Sequence, residues 1–376
     1  MEWEVLSRRT TNVVRRRGRF LVVDLLTPHR TLSTSARNGG QAEHVRHLLN
    51  HQSCEGKAHA ERTRLIHERG PEAYHDAICA EAGVPESATS TMGTAASMNY
   101  AALVTEGDAD VEVTAVVTAG VQTNATCAGD PAAWRETTEG VVAVSPVEGT
   151  INTMLVVSRP LTVAALARLA INATEGKSAA LQQLAVPSCY SADLATGTGT
   201  DQYCLAAPLD GAPLTTASPH VKFGEIAGLA VRRATLEALR WQNGLEPGLT
   251  RSVFHALGRF GVRDDTIFED LATHLEQADL ELLRQNSRAV FYEPLVGAAA
   301  YALAAVLDRA RHGVLPDSVL SDAAVQQAAM LAANLAAQPH RWFEFRMRLL
   351  ARGAFTPRSL VLAAIALGWS EKWRSS

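Results

Sequence analysis

The chain has 376 residues, 47% hydrophobic and 20% charged, so it can bury a large core and is neither disordered nor fibrous. Its formal net charge of −4 leaves no general electrostatic footprint for nucleic acid. Five cysteines, odd in number and without a CxxC pair, fit neither a disulfide framework nor a zinc module, and a reduced cytoplasmic setting is expected.

The arginine-rich start leads into an apolar run, Phe20 to Leu26, that is short and interrupted by Asp24. A secretory core wants about 7–15 uninterrupted apolar residues, so no signal peptide is read here. The stretch from Phe291 to Leu307 carries Glu293 and Pro294 and is mostly alanine, which suits a core helix and not membrane insertion.

In chain order, β-branched runs predict strands at Arg19–Leu26, Val111–Thr118, Gly140–Val144, Thr150–Val157 and Tyr203–Ala207. Helical patterns alternate with them at Gln41–Leu49, Glu72–Ala82, Leu161–Gly176, Ser178–Leu184 and Glu225–Arg240. Interleaving of this kind predicts a layered α/β or α+β domain over residues 1–245. The stop-and-turn run from Asn243 to Gly248 closes it. Helices then follow at Arg251–Phe260, Asp265–Arg284, Glu293–Arg311, Pro316–Ala337, Arg341–Arg352 and Pro357–Lys372, giving an all-α module over 250–376. In that module Trp342, Phe343 and Phe345, beside Arg341, fit bundle core or an interface patch.

Five short segments of the first region carry candidate chemistry. Asn38-Gly39-Gly40 permits close backbone approach to an anion or carbonyl, or makes a plain turn and cap. Thr118-Ala119-Gly120-Val121, with Asn124 beyond, offers N–H groups and an amide for an oxyanion hole, or an ordinary Asx-closed loop. In Gly149-Thr150-Ile151-Asn152 a threonine follows glycine at a strand entry. Its hydroxyl needs a base, and self-cleavage before Thr150 would free an α-amine of pKa about 7.7–8.0. Glu175 and Lys177 lie two apart, so both face a pocket only if the helix breaks at Gly176. Thr196-Gly197-Thr198-Gly199-Thr200-Asp201 supplies hydroxyls and a carboxylate for substrate positioning or a proton relay, without the lysine of a P-loop. His44, His47 and His51 would share one face of the predicted helix, ahead of Cys54. Without an HExxH pattern they read as a polar face, and no metal is expected.

Taken in order, these segments resemble the adenosylcobinamide amidohydrolase family of corrinoid salvage. The resemblance rests on Ser35-Ala36-Arg37-Asn38-Gly39-Gly40, Thr118-Ala119-Gly120-Val121, Ala128-Gly129-Asp130, Gly149-Thr150-Ile151-Asn152, the Ala173–Lys177 segment, the Ala195–Asp201 turn and Lys222–Gly228. It covers roughly residues 18–245 and leaves the helical tail outside. Gly176 stands where the family usually has alanine, and residues from about 50 to 90 are less typical, a place for a specificity lid. The resemblance implies hydrolysis of the amide that joins a corrin side chain to aminopropanol, giving adenosylcobyric acid. The corrinoid would be the substrate, with no cofactor required and no nucleic-acid partner.

Gly149-Thr150 followed by the Gly-Thr-Gly-Thr-Asp turn is also similar, more distantly, to the self-cleaving β-aminopeptidase and ornithine acyltransferase group. That resemblance implies Thr150 as nucleophile, with Asn124 and the Thr118–Gly120 backbone on the oxyanion. Thr198 and Asp201 would complete a relay, while Glu175 and Lys177 tune charge or bind a ring amide. Substrate contacts are expected at Asn38, Gly39, Gly40, Thr118, Gly120, Asn152, Thr196, Thr200, Lys222 and Gly224. In the alternative, the chain stays intact and Glu175 or Asp201 activates water. A self-cleaving amidase on peptide-like amides and a non-catalytic corrinoid-binding protein are the rival functions. The tail is a candidate for homo-oligomer contacts, a lid or a second activity.

Overall fold

The computed structural model describes residues 2–53, 56–132, 134–138, 140–143 and 149–372, so Cys54, Val144 and Glu148 lie outside the described residues. The chain divides into two compact units, one running to Tyr190 and resuming over Leu194–Gly244, the other comprising Ser191–Asp193 and the chain from Leu245.

Strands of the first unit are β1 (Glu4–Arg8), β2 (Asn12–Arg17), β3 (Phe20–Leu25), β4 (His29–Ser33), β5 (Gly40–Ala42), β6 (His47–Gln52), β7 (Thr89–Thr94) and β8 (Ala102–Asp108). They continue as β9 (Val111–Ala119), β10 (Ala125–Thr126), β11 (Trp134–Thr137), β12 (Gly140–Ala143), β13 (Ile151–Val157), β14 (Gly197–Thr198) and β15 (Gln202–Pro208). Its helices are α1 (Gly56–Ala82), α2 (Val163–Gln183) and α3 (Lys222–Asn243). One mixed sheet runs β1-β2-β3-β6-β7 and a second runs β5-β4-β15-β13-β9-β8. Two short ribbons pair β10 with β14 and β11 with β12.

The two sheets face one another. Leu21, Val23, Leu48 and Met92 of the first pack with Val116, Met154, Val156 and Cys204 of the second. Outside the first sheet, Phe20, Val22 and Leu49 lie under Ile78, Cys79 and Ala82 of α1. The far side of the second sheet is covered by α3, which packs on β8 and β9 and against α2. The result is a helix–sheet–sheet–helix sandwich. β13 sits between antiparallel β9 and parallel β15 and is buried on both faces, which is why it reads as a continuous apolar run from Met154 to Val157.

Three expectations for the first unit are corrected, and in the second the helix expected at Asp265–Arg284 is two, Ile267–Leu271 and Gln277–Gln285. Gln41–Leu49 is not a helix: it forms part of β5, a turn and the start of β6, which is held between β3 and β7. Sheet pairing there overrides the apparent helical spacing of the histidines. The helices expected on either side of Gly176 are one, α2, because Gly176 is in contact with α3; a Cβ there would lie 2.8 Å from the Gly228 carbonyl oxygen. Helix α1 begins well before Glu72, at Gly56, and changes direction at Gly70 (φ +84°), where Pro71 starts a new helical run. Strands β1, β2, β4, β7 and β8 escape sequence reading because arginines and threonines break their apolar alternation, as in Asn12–Arg17.

Glycine caps α3 at Gly244, and the second unit follows as α4 (Pro247–Thr250), α5 (Val253–Leu257), α6 (Ile267–Leu271), α7 (Gln277–Gln285) and α8 (Ser287–Phe291). It closes with α9 (Pro294–Arg311), α10 (Asp317–Leu335), α11 (Trp342–Leu350) and α12 (Pro357–Glu371). Its core gathers Leu303, Ala328, Phe345, Val361 and Ile365. Helix α12 opens with a capping box between Thr356 and Ser359, and the Trp369 indole donates to the Asp279 carbonyl at 2.8 Å. The three aromatics near Arg341 take different places: Phe345 is core, Trp342 is half-buried and Phe343 is 62% exposed. Among the described residues no helix is long and apolar enough to cross a membrane.

Helix α2 is fixed by one buried side chain. The Asn172 amide donates to the Ala217 carbonyl (3.1 Å) and the Gly224 carbonyl (2.7 Å), tying α2 to the first turn of α3. Asn172→Ala strands both acceptors, and a stability loss of about 1–3 kcal/mol is expected in urea unfolding.

Candidate active site

The site forms where three strand ends meet. Register pairs Ile151 with Ala119 and Asn152 with both Thr118 and Gln202, so Gly120, Thr150 and Asp201 reach one edge of the second sheet together. The Gly120 N–H continues the ladder by donating to the Thr150 carbonyl (3.0 Å). It is therefore engaged by Thr150's own backbone, not free for an oxyanion. Gly149 holds φ at +142°, and a Cβ there would come within 2.9 Å of Asn124 Cβ, so glycine is required on both counts.

That turn aims the Gly149 carbonyl at two side-chain donors. Asn124 Nδ2 donates to it at 2.8 Å and the Thr200 hydroxyl at 2.7 Å. The next residue carries the Thr150 hydroxyl, buried at 4% exposure, which donates to the Thr200 carbonyl (2.8 Å) and also contacts the Thr200 hydroxyl. A polarised carbonyl, with two donors on its oxygen, thus adjoins a hydroxyl one residue along the chain. Donors so placed stabilise negative charge on an oxygen more than they stabilise the neutral carbonyl.

Asp201 anchors the arrangement. Its Oδ1 accepts from the Ile151 N–H (3.0 Å) and the Thr198 hydroxyl (2.6 Å), and its Oδ2 from the Thr198 N–H (3.1 Å) and Lys177 Nζ. Four donors fill a carboxylate's acceptor positions, so its role here is to hold parts in place. Burial disfavours the Lys177 cation, but the Asp201 carboxylate and Tyr203 outweigh it, and the lysine's pKa stands above its ordinary value. Lys177 Nζ also lies 5.9 Å above the Tyr203 ring, whose hydroxyl meets Thr174 at 2.9 Å. Glu175 is exposed, so the two charged residues of this segment part company. With 100° between helical residues, positions two apart diverge by about 200°.

Beside the site a buried polar chain links the two sheets. Asn50 donates to the Thr118 hydroxyl (2.8 Å), while Asn152 donates to Asn50 Oδ1 (2.9 Å) and the Gly93 carbonyl (3.1 Å). Asn152 Oδ1 and the Thr153 hydroxyl are buried and find no hydrogen-bond partner among the described residues. Thr196 shapes the neighbouring turn, bonding Thr126 through its N–H (2.9 Å) and accepting from the Ala128 N–H (2.9 Å).

Other expected contacts are bound elsewhere. The Asn38 amide donates to the Glu86 and Thr89 carbonyls, both at 2.8 Å, and Gly39 packs on the Ser35 carbonyl, with Gly40 opening β5. Lys222 is exposed and pairs with Glu225 (2.7 Å), and Gly224 packs on the Ser218 carbonyl at the start of α3. The histidines also diverge: His44 meets Asn38 (3.2 Å), His47 meets Asp24 (2.7 Å) and His51 meets Tyr74 (2.8 Å). Burial, with Arg19 and Arg62 near, pushes the His51 pKa down to about 3. Among the described residues no three His, Cys, Asp or Glu side chains are grouped to hold a metal. The structure thus gathers Asn124, Thr150, Lys177, Thr198, Thr200 and Asp201 into one bonded set around Gly149. Two participants escaped sequence reading: Asn50, a polar residue inside an apolar strand, and Tyr190, whose hydroxyl donates to Asn124 Oδ1 (2.8 Å).

Removing Lys177 leaves the Asp201 carboxylate, its side chain only 10% exposed, without its cation, and Lys177→Met is expected to cost about 3–5 kcal/mol. A lysine raised on folding contributes fully below its free value of 10.5 and loses that contribution as pH rises through the higher folded value. The stability gap between wild type and Lys177→Met should therefore stay level from about pH 7 to 9 and narrow above about pH 10.4. Urea titrations across that range measure it.

A family model described as adenosylcobinamide amidohydrolase matches residues 4–247. An uncharacterized protein of Methanocaldococcus jannaschii is 30% identical over 182 residues, covering 46% of this chain and 71% of that protein. The match spans the layered unit with the whole Gly149–Thr150 site, and the chain belongs to the adenosylcobinamide amidohydrolase family.

Proposed function

We propose that this chain hydrolyses the amide joining aminopropanol to the corrin ring of adenosylcobinamide, releasing adenosylcobyric acid and the amino alcohol. Family membership supports the substrate class. The observation that carries the chemistry is the Gly149 carbonyl, held by Asn124 and Thr200 immediately before the Thr150 hydroxyl. The corrinoid enters as substrate, and the steps below ask for no cofactor.

The same donors serve two successive acyl transfers. First, Thr150 Oγ attacks the Gly149 carbonyl carbon, the C–N bond breaks, and the departing nitrogen takes a proton. Water then hydrolyses the resulting ester, leaving a carboxylate on Gly149 and a free amine and hydroxyl on Thr150. Departure of Gly149 frees Asn124 Nδ2 and the Thr200 hydroxyl for a substrate carbonyl. In turnover Thr150 Oγ attacks the cobinamide amide, giving its proton to its own α-amine. The oxyanion forms against Asn124 and Thr200. The C–N bond breaks, the proton passes to the leaving aminopropanol nitrogen, and water releases cobyric acid from the ester.

Lys177 and Thr198 act through Asp201, which holds the Ile151 N–H and so fixes the residue before it. Direct activation of water by Glu175 or Asp201 has less support. Glu175 is exposed and outside the bonded set, and Asp201 already accepts from four donors.

Chromatography after incubation with adenosylcobinamide tests the reaction. Adenosylcobyric acid is the expected product; a change in the corrinoid's visible spectrum without product, or cleavage of peptide amides instead, contradicts it. Asn124→Ala should lower kcat by about 10²–10³-fold. Intact-mass measurement should find the purified chain divided between Gly149 and Thr150, and an undivided yet fully active chain rejects the self-cleavage step.

A further inference from the structure

An asparagine amide presents an oxygen and a nitrogen of nearly equal size, so its usefulness as a donor depends on what fixes its direction. At Asn124 the Oδ1 atom accepts the Tyr190 hydroxyl at 2.8 Å, while Nδ2 points to the Gly149 carbonyl at 2.8 Å and Thr200 Oγ1 at 3.4 Å. Reversing the amide would set its oxygen against the Gly149 oxygen.

Tyr190 is itself braced. Its N–H donates to Ser188 Oγ (3.0 Å), and that hydroxyl donates to Asp130 Oδ2 (2.6 Å). The same carboxylate oxygen accepts from the Cys127 N–H (2.7 Å) and the Thr126 hydroxyl (3.2 Å). The Cys189 N–H closes the loop on the Ala125 carbonyl at 2.8 Å. A role thereby emerges for Asp130 of the Ala128-Gly129-Asp130 segment.

We propose that Tyr190 is a positioning residue that orients the Asn124 amide toward the reacting carbonyl, with Asp130 and Ser188 holding Tyr190 in place. This rests on the reading of Asn124 as the oxyanion donor. Burial first, then Cys189 and Asp130, raises the Tyr190 pKa, so the phenol keeps the proton that it donates. The conservative probe is Tyr190→Phe, which keeps the ring and deletes only that donor.

The test measures turnover of adenosylcobinamide, thermal unfolding and the Asn124 side-chain amide resonances in ¹⁵N-labelled protein. Tyr190→Phe should lower kcat about 3- to 10-fold with KM within about twofold, the scale of one lost hydrogen bond. The melting temperature should hold, and the Asn124 amide pair should shift toward an averaged signal. In an Asn124→Ala background the second substitution should add nothing, whereas a merely structural tyrosine would lower activity in both backgrounds. Unmoved Asn124 resonances in Tyr190→Phe overturn the proposal. If the wild type makes no cobyric acid, the proposed reaction falls, while the amide resonances still decide the role of Tyr190.

Discussion

The Asp201 carboxylate is the point at which helix α2, strand β14 and strand β13 are joined, through Lys177, Thr198 and Ile151. Burying a charged pair is costly unless every donor and acceptor is used, and here the carboxylate accepts four donors. The geometry of Thr150 follows from it. With the Ile151 N–H tied to Asp201 and the Thr150 carbonyl tied to Gly120, the hydroxyl-bearing residue is fixed on both sides of its own peptide. Gly149 then has little freedom except the left-handed backbone that presents its carbonyl to Asn124 and Thr200.

The layered fold supplies the rest. Strand β13 is wholly buried, with an apolar inter-sheet core on one side, and it stops being apolar only near its first residues. There Asn152, Asn50 and Thr118 replace hydrocarbon with hydrogen bonds. A rigid strand with a polar end is a sound mount for a nucleophile, because the reacting residue inherits the order of the core. The loop carrying Tyr190 reaches the same carbonyl from a different part of the chain.

Much of this was legible in the sequence, for identifiable reasons. β13 and β15 announce themselves because their doubly covered stretches, Met154–Val157 and Cys204–Ala207, are continuous apolar runs. The Gly-Thr-Gly-Thr-Asp turn is readable because its glycines lie against other groups of the site, Gly197 against Lys177 and Asp201 and Gly199 against Asn124. The region from 41 to 49 was not, since its strand character comes from pairing with β3 and β7 and not from its own residues. Glu175 and Lys177 look equivalent on paper, yet an unbroken helix sends one to solvent and the other to Asp201. Tyr190 was unreadable because a loop tyrosine's partner is decided by tertiary path alone.

Everything proposed for the chemistry converges on one oxygen atom. The most direct measurement compares adenosylcobyric acid formation by wild type, Thr150→Ser and Thr150→Ala at matched protein folding. A nucleophilic Thr150 predicts product from the wild type, reduced but measurable product from the serine variant, and none from the alanine variant. Wild-type rates in Thr150→Ala would contradict the account.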